Sequence, residues 1–266
     1  MRQVEENLGM NRWASNLRLL RLREIEILEE YLRDRRFRNC LELGAGSGIQ
    51  SAELTRFCDR VVATDLDAER LFSSEARLDV ERKIADAEDL LTVFEGQEFD
   101  LLFSSNVLEH LPNVSRFLDQ SRFLLAPGGI AIHILPNPLW RLLSTCFFYP
   151  AKLYSLVDSV ASASSGKRAS KVKKLGNNIK KQVSRKSRWA RFFPQPHGVS
   201  DSLVQEFLAF RKSVWIEAFE SQGWSVVSIL NGPISTGYGL GFNTVKAFME
   251  RAGLSTEYIF VLKLKL

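Results

Sequence analysis

The chain has 266 residues, 45% hydrophobic and 25% charged, which fits one large α/β domain with a sizeable core better than two small ones. No uncharged apolar run approaches the roughly 18 residues of a membrane span, and the opening MRQVEENLGMNRW lacks the apolar centre of a signal peptide, so a cytoplasmic chain is expected. Three cysteines (Cys40, Cys58, Cys146) without CxxC or a His/Cys cluster imply reduced thiols and no metal.

The net charge of +5 is local, because residues 167–191 carry eleven Lys/Arg and no acid, leaving 25 basic against 31 acidic residues elsewhere. In chain order, Leu19, Leu22, Ile25, Leu28 and Leu32 recur at spacings of three and four across residues 13–36. They predict an amphipathic helix packed on a sheet edge or over a ligand. Trp13 and Tyr31 on that helix are expected to be core rather than lid residues. Next comes CLELGAGSGIQ, Cys40 to Gln50, a short apolar strand that breaks into Gly44, Gly46 and Gly48 before a helix over residues 49–57. Glycine lets the backbone take positive φ and lets a ligand approach the main chain, and the helix start adds unpaired N–H groups, so the turn reads as a cofactor cradle. A dinucleotide-binding turn would want glycine in place of Ile49, and a phosphate-binding loop would want Gly-Lys-Ser/Thr; neither is present.

A second strand, Arg60 to Thr64, ends in Asp65, placed to accept hydrogen bonds from both hydroxyls of a ribose, with Leu66 available to an adenine face. Asp67 is expected to cap a helix running to Ala76. A third strand, Val80 to Ala85, leads into Asp86 and Ala87, whose carboxylate and N–H suit adenine, although Asp86 also has the makings of a helix cap. The fourth strand, Phe99 to Ser104, opens into Ser105, Asn106, Glu109 and His110, at the end where ligands of open α/β sheets bind. A helix with Val114, Phe117, Leu118, Ser121 and Leu125 inward, a turn at Ala126 to Gly129 and a fifth strand, Ile130 to Leu135, complete a doubly wound parallel pattern.

LELGAGSG, TDLD, DAEDL, FDLLFSSNVLEHL and LAPGG, in this order over residues 38–135, resemble the class I S-adenosylmethionine-dependent methyltransferases, in particular the type 11 small-molecule group. The resemblance covers roughly half the chain and implies a mostly parallel seven-stranded Rossmann-like sheet with S-adenosyl-L-methionine as cofactor. It places Glu42 near the methionine amino group, Gly44, Gly46 and Gly48 along methionine and ribose, Asp65 at the ribose hydroxyls, Asp86 and Ala87 at adenine, and Asn106 beside the sulfonium; Ala45, Leu66 and Ser105 are further candidates for cofactor binding. Nucleic-acid subtypes fit poorly. Ser104 to Val107 is not the Asn/Asp-Pro-Pro-Tyr/Phe motif of base N-methylation, and no cysteine nucleophile stands there.

The division expected is 1–37 as an N-terminal helical cap, 38–138 as the cofactor-binding core, 139–199 as an apolar and basic insertion, and 200–266 as the helix and strands that complete the sheet. The insertion pairs LWRLLSTCFFYPAKLYSLV with the basic tract, a composition suited to a substrate lid, to peripheral contact with an anionic inner membrane face or, third, to nucleic acid. Beyond it, Leu203, Phe207, Phe210, Val214 and Ala218 predict one helix with those residues inward, followed by a strand at Trp224 to Leu230, a glycine-rich loop, a helix at Asn243 to Arg251 and a last strand at Tyr258 to Lys265 near an edge.

If the acceptor is a hydroxyl it must lose a proton, and His110 and His197 are the candidate general bases; His133, alternating with Ile132 and Ile134, is expected in the core. The reading is methyl transfer, at oxygen, to a small-molecule or glycan acceptor, including one linked to lipid or phosphate. A non-catalytic cofactor-binding protein docking through the insertion and an RNA methyltransferase using the basic tract are the alternatives.

Overall fold

The computed structural model describes residues 12–73, 79–153, 193–235 and 243–265. The basic tract, the glycine-rich loop over residues 236–242 and the expected helix beyond residue 73 lie outside the described residues, as does the side chain of Trp13.

Seven strands form one sheet: β1 (Phe37–Leu43), β2 (Cys58–Asp65), β3 (Glu81–Ile84), β4 (Phe99–Ser105), β5 (Leu125–Pro136), β6 (Trp224–Asn231) and β7 (Glu257–Leu264). Their order is β3-β2-β1-β4-β5-β7-β6. The first five run parallel, and β7 is antiparallel to both neighbours. Strand order reverses between β1 and β4, so the carboxyl ends of those two strands open one crevice.

The strands read as near-continuous apolar runs because both faces are covered. Along β4, Leu102 points into one core cluster with Phe117, Phe219 and Trp224, while Leu101 and Phe103 point into the other with Ile25, Leu28 and Leu32. The second cluster belongs to α1 (Arg12–Leu32) and α2 (Ile49–Leu54); α1 lays Ile25, Leu28 and Leu32 on the sheet and leaves Leu19 exposed. Tyr31 is half-buried against this cluster.

Asp67 caps α3 (Ala68–Leu71), accepting from Arg70 N–H, as expected, although the helix itself is brief. The expected turn at Ala126 to Gly129 lies within β5, whose pairing with β4 shifts register between Phe99 and Leu101; Gly128 takes φ 80° there, so an irregularity in the strand absorbs the turn. After α4 (Leu90–Phe94), α5 (Val114–Leu124) and α6 (Pro138–Cys146), the one helix expected beyond residue 200 is two, α7 (Leu203–Ala209) and α8 (Lys212–Ser221). The break at Phe210–Arg211 resets the helical phase. Phe210 is buried as expected and Leu203, Val214 and Ala218 are half-buried, but Phe207 is exposed, and Glu206, Trp215 and Phe219 are buried where the single-helix pattern does not place them. The last helix, α9, is Asn243–Arg251. β7 is one strand in from the edge, which β6 forms.

Candidate active site

A cavity of about 1020 Å³ opens at the β1/β4 reversal. Gly44, Asp65, Leu66, Asp86, Ala87, Ser105, Asn106, His110 and His197 all line it. Glu42, Ala45, Gly46 and Gly48 do not; they form the turn and its underside.

The turn's shape follows from its glycines. Gly44, Gly46 and Gly48 take φ of 68°, 57° and 78°, the left-handed region that a side chain disfavours. A Cβ on Gly44 would stand 2.4 Å from Val107 Cγ2, so β1 and the loop after β4 approach closely only because that residue is glycine. The backbone N–H of Gly46 donates to Asp65 Oδ2 and that of Asp67 donates to Asp65 Oδ1, each at 2.8 Å. These bonds fix the carboxylate at the cavity wall, and each oxygen keeps a further lone pair for a hydroxyl. Asp86 is held similarly, its Oδ1 accepting from Glu88 N–H at 2.8 Å; that turn, rather than a bond to the helix start, is its local structural role.

Beneath the turn lies a network of buried charge. Arg21 of α1 donates to Glu24 at 2.7 Å and to Ser105 Oγ at 2.5 Å; Glu24 also accepts from Gln50 at 2.8 Å and Ser105 Oγ at 2.7 Å. Burial alone would lower the Arg21 pKa, but Glu24 and Glu257 hold it above its usual value. Glu42 accepts from Ser51 Oγ, and burial raises its carboxyl to about 7 against the opposing pull of that bond and of Arg21. Burial, reinforced by Glu24, pushes Glu257 well up as well. Asn106 sits among these groups at φ 54°, a left-handed value that Asn tolerates better than most residues. Its N–H donates to Ile134 O at 2.8 Å and its side chain to Ser105 Oγ at 3.2 Å.

The far wall comes from the segment after β5. Arg141 on α6 forms a buried ion pair with Glu206 of α7 at 2.9 Å. The other Glu206 oxygen accepts from the N–H groups of His197 (2.6 Å) and Gly198 (2.9 Å), while Val199 N–H donates to Glu109 O at 3.2 Å. These bonds bring the Phe193–Val199 return onto the short 3-10 turn Leu108–His110. The rings of His110 and His197 meet edge-on, centroids 4.6 Å apart, and His197 also packs on Trp140 at 4.9 Å. Burial lowers the pKa of His110, and burial with the nearby His110 and Arg141 lowers that of His197 to about 4, so both rings are neutral near pH 7. Glu109 is buried beside them with a carboxyl raised to about 8 by that burial. His133 is a core residue: fully buried, bonded to Ser104 Oγ at 2.8 Å and stacked on Phe219.

Sequence reasoning therefore names residues that share one cavity but misses Arg21, Glu24, Arg141 and Glu206. Buried ionic groups on amphipathic helices carry the same sequence signature as solvated ones. It also implied no metal, whereas the fold assembles Glu109, His110 and His197 with their ligating atoms within 4.8 Å of one another.

Residues 41–133 match the model of a family described as a methyltransferase domain. The ubiquinone biosynthesis O-methyltransferase of Nitrobacter winogradskyi is 28% identical over 120 residues, 41% of this chain and 45% of that protein. Its counterpart from Cereibacter sphaeroides is 30% identical over 97 residues, 35% of this chain and 38% of that one. The chain thus spans less than half the length of these curated relatives. Among solved structures, an S-adenosylmethionine dependent methyltransferase from Mesorhizobium loti superposes with a TM-score of 0.52 at 14% identity, covering 89% of this chain and 97% of that one. The plantazolicin methyltransferase BamL gives 0.53 at 12%, covering 95% and 86%. At these identities the structural likeness concerns the fold.

Proposed function

From the premise that residues 41–133 form a class I methyltransferase domain, we propose that this chain transfers the methyl group of S-adenosylmethionine to a hydroxyl of a small-molecule or glycan acceptor, including one carried on a lipid or phosphate. The observation that carries the proposal is a single cavity that joins the Asp65 and Asp86 wall to the His110 and His197 wall across Asn106. The glycine turn suits the cofactor because Gly44 lies bare at the cavity wall and because Asp65 is oriented by two backbone donors.

When bound, the cofactor supplies an electrophilic methyl on a sulfonium, which leaves as a neutral thioether once the acceptor oxygen has attacked in line. The chain's own work is alignment and proton removal. Asp65 would take the ribose hydroxyls, and Arg21 and Ser105, the members of the buried network that line the cavity, would stand toward the methionine end. Leu17, Leu20, Trp140 and Ile234 shape the apolar part of the wall around the acceptor. The neutral His110 and His197 rings line the same cavity and would take the acceptor proton.

The test is transfer of labelled methyl to a panel of phenols, sugar alcohols and lipid-linked glycans, with product analysis to locate the new bond. Label on oxygen supports the reading. Label on nitrogen, or tight cofactor binding without transfer to any panel member or cell extract, overturns it.

A further inference from the structure

Glu109 poses a problem that the mechanism above leaves unanswered. It is 4% exposed, and neither carboxylate oxygen receives a hydrogen bond from another residue. Buried without a partner, such a carboxyl stays protonated, whereas a bound cation would let it ionise and ligate. Arg21 attracts it from a distance and Glu206 and Glu24 oppose that attraction, but the hydrogen bonds of Arg21 go to Glu24 and Ser105 and none reaches Glu109.

Two imidazoles stand at the same point. His110 Nε2 lies 3.8 Å from Glu109 Oε1, the ring of His197 meets that of His110, and one ligating atom from each of the three residues lies within 4.8 Å of the others. We propose that Glu109, His110 and His197 form a divalent transition-metal site that bridges the turn after β4 to the return of the segment after β5. This rests on the O-methylation reading and deepens it, converting the two histidines from proton acceptors into ligands.

Three features favour a metal over a chance cluster. The donor set, two imidazole nitrogens and one carboxylate oxygen, is that of catalytic zinc sites and suits borderline divalent ions, while magnesium and calcium take oxygen ligands. The backbone that carries His197 is fastened: Glu206 accepts from the N–H groups of His197 and Gly198, and Arg141 pairs with Glu206. A fixed backbone on a ligand's own segment limits how far that ligand can stray. A Cβ on Gly198 would stand 2.3 Å from Glu109 O, so glycine permits the two segments to meet closely enough to share an ion. With metal–ligand bonds of about 2.0–2.2 Å, ligand atoms sit roughly 3 to 3.5 Å apart, so the present spacing closes with modest side-chain rotation.

The site also has an open side. His110 is 42% exposed and lines the cavity with Asn106, leaving room for an acceptor oxygen in the coordination sphere. There the ion acidifies the hydroxyl, whose proton passes to solvent water. The oxygen lone pair then forms the bond to the methyl carbon, and the carbon–sulfur pair returns to sulfur.

The experiment uses the full chain, stripped with a chelator and titrated with Zn²⁺ by calorimetry and with Co²⁺ by visible absorption, with Mg²⁺ as the contrasting ion. Expected are one Zn²⁺ per chain, Co²⁺ ligand-field bands, and at least 100-fold weaker Mg²⁺ binding. Glu109→Gln and His197→Gln should each weaken Zn²⁺ at least tenfold and abolish the Co²⁺ bands. Retained affinity for S-adenosylhomocysteine shows that each variant is folded. Absence of stoichiometric Zn²⁺ and Co²⁺ binding by the wild type, or binding unaltered in both variants, overturns the site. Metal bound without methylation of any hydroxyl supports the site and removes the O-methylation reading; hydroxyl methylation by a chain that binds no metal does the reverse.

Discussion

Asp65→Ala isolates the link between the glycine turn and the cofactor. The carboxylate is fixed by Gly46 N–H and Asp67 N–H, both at 2.8 Å, and under the proposed function its remaining lone pairs take two ribose hydroxyls. Hydrogen bonds to a charged acceptor contribute about 1.5–3 kcal/mol each, so removing two costs at least about 3 kcal/mol, on the order of 100-fold in Kd. Asp65→Asn keeps one acceptor oxygen and should lose about tenfold. Asp65 is partly exposed, so water replaces it at the two backbone donors and the stability loss stays near 1 kcal/mol, a melting shift of roughly 2–4 °C at this chain length. Calorimetric titration with S-adenosylhomocysteine reads the affinity without turnover, and a thermal melt reads the fold. Asp65→Ala binding within threefold of wild type, in a chain whose melt falls by no more than those few degrees, would refute the assignment.

Further predictions concern the frame around the cofactor. Gly44→Ala combines left-handed backbone with a Cβ 2.4 Å from Val107 Cγ2 and should destabilise by about 2–4 kcal/mol in urea unfolding. Gly128→Ala, also at positive φ but with nothing within 4 Å, should cost only about 1–2 kcal/mol; equal losses would show that the close approach is immaterial. Arg141→Ala leaves Glu206 buried and unpaired and should cost about 3–5 kcal/mol, whereas the apolar double variant Arg141→Met/Glu206→Leu should recover the part due to the unpaired charge but not the part due to the lost acceptor of the His197 and Gly198 N–H groups; a double variant no more stable than Arg141→Ala in a denaturant titration would contradict the ion-pair account. Glu42 has a folded pKa of about 7, above its ordinary 4.5, so its neutral form favours the fold. That contribution is present below pH 4.5 and is lost as pH rises through 7. Between pH 5 and 8.5 the wild type should therefore lose about 2–3 kcal/mol relative to Glu42→Gln, and parallel pH profiles of the two proteins would contradict this.

The parts legible in the sequence are those that local chemistry dictates. Three alternating glycines after an apolar strand, an acid closing the next strand and small polar residues closing the fourth each have a local reason, and all line or frame one cavity. The doubly wound order followed from apolar strands alternating with helices. What escaped depends on partners distant in sequence. Arg21 and Glu24 read as the wet face of α1 until the sheet edge and Ser105 enclose them. Phe207 was assigned inward because periodicity cannot show where a helix breaks, and the break at Arg211 hands its place to Glu206 and Trp215. His110 and His197 were each candidates alone; that they touch is decided by Glu206, which no spacing rule selects.

Glu206 accounts for why that far wall is defined at all. A buried ion pair adds little net stability over an apolar pair of the same volume, since desolvation cancels most of the attraction. Its value is positional. One Glu206 oxygen accepts two successive backbone N–H groups, His197 and Gly198, and the other faces Arg141. A hydrophobic residue there would fill the space equally well but would accept nothing from the chain it supports. Arg141 Nη1 in turn reaches Gln195 O at 3.3 Å, so both ends of the pair grip the same return. The segment after β5 is thus fastened at its described end by directional contacts, and the imidazole it presents is aimed at the turn that carries Glu109. A chain that needed only to cover its cofactor would have no use for such aim; the proposed transfer, in which a reacting oxygen is held within a few tenths of an ångström, would need it.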